Sequence, residues 1–114
     1  MLTIEKLNEY GANTKEGLER CMNKEDFYFR LIDKAINDDS FIRLKTEIEN
    51  KNYNEGFKIA HSLKGVLGNL SITPLYEIVY ELTELLRIEK DIDYSNYLNK
   101  LLIKREELLE LIKS

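Results

Sequence analysis

The sequence predicts an all-α domain, an antiparallel up-down four-helix bundle with short N-terminal helices packed on it. Three observations carry this expectation. The 114 residues hold one proline and five glycines, and long stretches are rich in Leu, Ile, Glu and Lys, which favour helix. No run shows sustained alternation of apolar and polar residues, the mark of a half-buried strand. The links between helical stretches are short, and short links place consecutive helices side by side. A chain of this length suits one domain with a single core.

In chain order, the pattern predicts a short amphipathic helix over 2–10, ended by Gly11, and a further turn or two over 14–22. A helix over 24–37 follows, with Asn23 as its N-cap and Phe27, Leu31, Ala35 and Ile36 recurring at helical spacing. Asp38, Asp39 and Ser40 break and recap the chain. The helix over 41–50 has Leu44 and Ile48 four apart and ends in the polar run Glu49-Asn50-Lys51-Asn52, a tight connection. The helix over 53–70 contains His61. Thr73-Pro74 then punctuates the chain: a threonine N-cap with proline at the first helical position starts a helix that runs to about residue 89. The last helix, capped by Asp93, carries Leu98, Leu101, Leu108 and Ile112 at helical spacing. Residues 1–37 are thus expected as N-terminal helices on one flank, and residues 40–112 as the four-helix bundle.

Composition removes several function classes. With 21 acidic against 17 basic residues the net charge is −4, which disfavours binding nucleic acid through general phosphate neutralisation; a protein partner is expected instead. The lone Cys21 has no disulfide partner within the chain, which suits a reducing compartment and predicts a cytoplasmic location. His61 and Cys21, forty residues apart, are the only His and Cys, too few for a zinc site of those ligands, and no metal or other cofactor is expected in the chain. Glycine-rich phosphate loops and the Gly-x-Ser-x-Gly elbow are both missing. No apolar stretch approaches the roughly 20 residues of a membrane span. Glu5, Lys6 and Glu9 stand where a signal peptide has its apolar run, so neither membrane insertion nor export is expected.

His61 is the residue with the most unusual surroundings. On a wheel at about 100° per residue, Ile59, Ala60, Leu63, Val66, Leu67 and Leu70 fall in one arc on the side opposite His61. The imidazole is therefore expected to face outward, flanked on its own face by Phe57, Lys64, Gly65 and Gly68. Mid-helix glycines each cost about 0.5–1 kcal/mol relative to alanine, so two beside one exposed imidazole imply that something approaches closely there. The stretch from Gly56 to Tyr76 has no acidic residue, where average composition would put about four, and its only charges are Lys58 and Lys64. An open histidine with a lysine one turn away meets the requirements for receiving a phosphoryl group. A neutral imidazole is itself nucleophilic and needs no general base.

The run Ala60-His61-Ser62-Leu63-Lys64-Gly65-Val66-Leu67-Gly68-Asn69-Leu70 closely resembles the signature around the phospho-accepting histidine of histidine-containing phosphotransfer (HPt) domains. His-x-x-Lys-Gly, the preceding alanine, the spaced leucines and the Gly-Asn-Leu continuation coincide on one helix. Gly17-Leu18-Glu19-Arg20, with Tyr28 and Leu31, more loosely resembles the segment that precedes the bundle in many members.

The resemblance implies that His61 accepts a phosphoryl group from the aspartyl phosphate of a response-regulator receiver domain and passes it to another, in a multistep phosphorelay. It implies that Lys64 supports the phosphoryl group and that Gly65 and Gly68 leave room for the receiver; Phe57, near His61 on the wheel, and Lys58 are candidates for the partner-binding surface. Tyr53 is a weaker candidate for that surface, whereas Leu67 is expected in the core. Any divalent metal is expected in the receiver. Such a protein is a phosphohistidine intermediate without turnover of its own, and a monomer is expected. Two alternatives stand beside this reading. The chain is the phosphotransfer domain of a hybrid or chemotaxis-type histidine kinase, or it is a helical adaptor that binds receivers without accepting phosphate.

The sequence departs from the family pattern at Ser71-Ile72, where many members have Gly-Ala. It departs again at Thr83, where Glu or Gln is frequent; Thr83 still offers a hydroxyl toward the imidazole. Tyr76, Tyr80, Tyr94 and Tyr97 are expected as packing at the core edge, Arg87 to Lys90 and Lys104 to Glu107 as solvated faces with i,i+4 pairs, and Cys21 as a passive thiol.

Overall fold

The structure, a computed structural model, describes residues 1–114. It is all-helical, with seven helices: α1 (Ile4–Tyr10), α2 (Thr14–Arg20), α3 (Glu25–Asn37), α4 (Ser40–Glu49), α5 (Tyr53–Asn69), α6 (Thr73–Arg87) and α7 (Ser95–Lys113). α5 packs most extensively against α6 and next against α4, while α7 lies against α6 and α3. One contiguous apolar core runs through these contacts and includes Phe41, Leu44, Leu63, Leu67, Leu82, Leu86 and Leu101. No helix is long and apolar enough to cross a membrane.

The helix ends depart from expectation for local reasons. α1 begins two residues late because Thr3 takes the cap and accepts the Lys6 amide at 3.1 Å, and it ends at Gly11, whose φ of +111° glycine adopts freely. α2 stops at Arg20. Asn23 does not cap α3: its φ of +57° belongs to the left-handed turn out of α2, whereas an N-cap is extended. Lys24 takes that place without a side-chain acceptor. Thr73 is already inside α6, with the buried Ile72 at the cap position and Pro74 in the first turn. Asp93 sits one residue outside the cap of α7, yet its carboxylate accepts the Ser95 amide at 2.9 Å, and hydrogen bonding by Ser95, from its side chain first and then its amide, holds the Asp93 pKa below the usual range.

In α3 the buried stripe is Tyr28, Ile32 and Ile36, and Phe27, Leu31 and Ala35 are only half-buried. The apolar band of this helix is two residues wide, and packing turns its Tyr28 edge inward. Val66, expected in the core arc of α5, is 41% exposed at the edge of that arc. The pairs Arg87–Glu84 and Lys104–Glu107 are spaced i,i+3 rather than i,i+4.

Three segments distant in sequence hold the C-terminal end of α5. The Tyr28 hydroxyl donates to the Leu70 carbonyl at 2.8 Å. The Arg20 guanidinium donates to the Gly68 carbonyl at 2.9 Å, the Asn69 carbonyl at 3.3 Å and the Ser71 hydroxyl at 2.7 Å. The Asn13 amide donates to the Ser71 carbonyl at 2.9 Å. These donors satisfy carbonyls that the end of a helix leaves without intrahelical partners. Ser71, where many HPt members have glycine, takes φ +57°, a left-handed conformation that glycine adopts without strain.

Candidate functional site

His61 is exposed near the middle of α5, and its outward direction follows from Ala60 and Leu63 being buried on either side of it in sequence. The Phe57 ring, one turn earlier, stacks on the imidazole with centroids 5.6 Å apart and planes 23° apart. One turn later, Gly65 presents bare backbone: a Cβ added there would meet nothing within 4 Å. The imidazole thus has an aromatic wall on one side and free space on the other.

α6 completes the surroundings. The Arg87 guanidinium lies over Phe57, 4.9 Å from the ring centroid, and the Lys64 ammonium lies 5.5 Å from the Tyr80 centroid. Tyr76 packs on Gly68, where an added Cβ would lie 3.1 Å from its Cε1. These pairs share one register. Two turns forward along α5, from Phe57 to Lys64, match two turns back along α6, from Arg87 to Tyr80, and one more turn on each reaches Gly68 and Tyr76. α5 and α6 are therefore antiparallel, and Thr83 and Glu84 are level with His61.

Thr83 faces inward. It is fully buried and its hydroxyl donates to the Val79 carbonyl at 2.7 Å, a bond within its own helix, so no hydroxyl from this position reaches the imidazole. Glu84 faces outward and accepts from Arg87 Nε at 2.9 Å. That hydrogen bond, helped by the positive charges of Arg87 and Lys64, lowers the pKa of its carboxyl.

The other candidates divide. Lys58 is exposed and pairs with Glu55 at 3.1 Å. Gly68 is half-buried beneath Tyr76, so its small size has a reason inside the fold. Leu67 is in the core, as expected. Tyr53 is buried away from the site: its hydroxyl donates to Asp91 at 2.8 Å and its ring packs on Tyr94. Tyr94 is itself buried, Tyr76 and Tyr97 are half-buried, and Tyr80 is 45% exposed. Cys21 is buried.

The acid-free window from Gly56 to Tyr76 does not make an acid-free surface. Glu55 reaches Lys58 from within α5, and Glu84 approaches from α6. Arg87, Glu84 and Tyr80 are the members of the site that the linear sequence does not single out. Their signal is the spacing 80, 84, 87 on the helix that follows, which becomes informative once the antiparallel register is known. No group of three or more His, Cys, Asp or Glu side chains is placed to hold a metal ion. Comparison with protein-family models, with curated proteins and with solved structures finds no match, so the functional reading rests on this geometry and on the resemblance carried by residues 60–70.

Proposed function

We propose that the chain is a phosphotransfer protein of the HPt type in a cytoplasmic multistep phosphorelay. On this reading α4 to α7 form the up-down four-helix bundle and α1 to α3 flank it. One observation carries the proposal: an exposed imidazole on a helix tied down at its C-terminal end, with Gly65 leaving open the space one turn away.

Phosphoryl transfer depends on positioning and on charge neutralisation. The receiver supplies the acidic pocket, its divalent metal and its own lysine. This chain supplies the nucleophile. The lone pair of one ring nitrogen, Nε2 in this reading, forms the new P–N bond in line as the P–O bond to the receiver aspartate breaks, and the electron pair leaves on the aspartate carboxylate. The other ring nitrogen keeps its proton. Lys64, a flexible ammonium on the exposed side of α5, turns from Tyr80 toward the phosphoryl oxygens. Phe57 limits rotation of the imidazole by stacking on it.

The test is transfer from a panel of receiver domains of the same cell, charged with acetyl phosphate, to wild type and to His61→Gln, read by intact mass and acid lability. One acid-labile phosphate on wild type and none on the variant is the expected result. No transfer from any receiver, with the helical content intact, overturns the relay and favours the kinase-coupled phosphotransfer domain or the non-phosphorylated adaptor.

A further inference from the structure

Glu84 is the acidic side chain that the α5/α6 register sets level with His61, and Arg87 holds it there at 2.9 Å. Arg87 in turn lies over the ring of Phe57, which itself stacks on the imidazole. The carboxylate also lies within reach of the Lys64 charge. Two cations of the site, Arg87 and Lys64, are therefore drawn to a carboxylate before any phosphate arrives. A phosphoryl group adds a charge of about −1.5 to −2 at this place. It meets Glu84 as a like charge and competes with it for Lys64 and Arg87.

We propose that Glu84 sets how long His61 holds a phosphoryl group: its carboxylate opposes the incoming dianion and keeps the phosphohistidine poised to give the group up. The proposal rests on His61 as the acceptor and adds a residue that governs the lifetime of the product. Arg87 is the exchangeable partner, bound to Glu84 at rest and drawn to the phosphoryl oxygens once His61 is modified. Arg87 and Glu84 are each about half exposed, so the exchange requires only side-chain rotation. Glu84 touches neither reacting atom; it acts through charge.

The experiment uses phosphoramidate, a small donor that needs no partner protein. His61 forms its P–N bond as the P–N bond of the reagent breaks and ammonia leaves with the electron pair. Phosphorylated fraction and subsequent loss of phosphate are followed by phosphorus NMR for wild type, Glu84→Gln and Glu84→Asp. Glu84→Gln, which keeps the shape and removes the charge, is expected to raise the phosphorylation rate and lengthen the phosphohistidine half-life by about two- to fivefold in low salt, with the difference shrinking in high salt. Glu84→Asp keeps the charge and is expected to stay near wild type, and the melting temperatures of all three are expected to agree. Equal rates for wild type and Glu84→Gln overturn the proposal, as does Glu84→Asp behaving like Glu84→Gln. If phosphoramidate separates the variants while no receiver transfers to wild type, the relay reading fails and the role of Glu84 stands.

Discussion

The Tyr28 hydroxyl donates to the Leu70 carbonyl at 2.8 Å, joining α3 to the end of the helix that carries His61 across 42 residues of sequence. The phenol is fully buried, and the bond satisfies a carbonyl that would otherwise face the core. Tyr28→Phe is therefore expected to destabilise the fold by about 1–2 kcal/mol, because it leaves that acceptor unpaired. A fall in melting temperature of roughly 4–8 °C is the measurement that checks it.

The same phenol gives stability a direction at high pH. Burial, with a smaller contribution from the nearby Cys21, pushes the Tyr28 pKa up to about 12 from 10. Between those values the unfolded chain releases the phenolic proton and the folded chain keeps it. The native state then binds more protons, and the unfolding free energy falls as pH rises from 10 to 12. Urea unfolding across that range is expected to show the decline, with a shallower slope in Tyr28→Phe.

Two glycines make opposite predictions. A Cβ at Gly17 would lie 2.7 Å from Tyr28 Cε1 in the packed interior, so Gly17→Ala is expected to lower stability by about 2 kcal/mol or more. A Cβ at Gly65 meets nothing, so Gly65→Ala is expected to raise stability by about 0.5–1 kcal/mol through helix propensity. Under the proposed function it is also expected to slow transfer from a receiver. Thermal melts paired with the receiver assay separate the two effects.

Thr83→Val keeps the shape of a buried side chain whose hydroxyl bonds only within α6. Under the proposed function, phosphorylation of His61 is expected to be unchanged, and stability to shift by less than about 1 kcal/mol. A phosphorylation defect at unchanged stability would show that the hydroxyl reaches the imidazole after all.

Arg20 donates three hydrogen bonds at the end of α5 and also pairs with Glu16. Arg20→Met retains most of its apolar stem and removes the donors. The expected result is a loss of about 1–3 kcal/mol, and hydrogen exchange that quickens first at the amides of residues 66–72.

Periodicity was enough to set the outward direction of His61 and the burial of Leu63 and Leu67, because α5 has an apolar arc with well-defined sides. It failed at Val66, on the margin of that arc, and in α3, where Tyr28 and not Phe27 points inward. There the band is two residues wide, and a bond to Leu70 selects the edge. Asn23 and Thr73 have the chemistry of caps, but backbone dihedral at one and burial of the preceding Ile72 at the other placed the helix starts elsewhere. Glu84 and Arg87 were illegible for a different reason. Their relation to His61 depends on how α5 and α6 are registered, and that is a property of two helices together.

The empty space beside Gly65 also bears on selectivity. A position without a side chain offers a docking surface nothing to tell one partner from another, since discrimination is a difference of affinities and needs a group that gains or clashes. Under the proposed function, the centre of the interface is common to every receiver that docks. The choice among receivers then falls to side chains around its margin, such as the exposed Tyr80, which can vary without disturbing the reaction at His61.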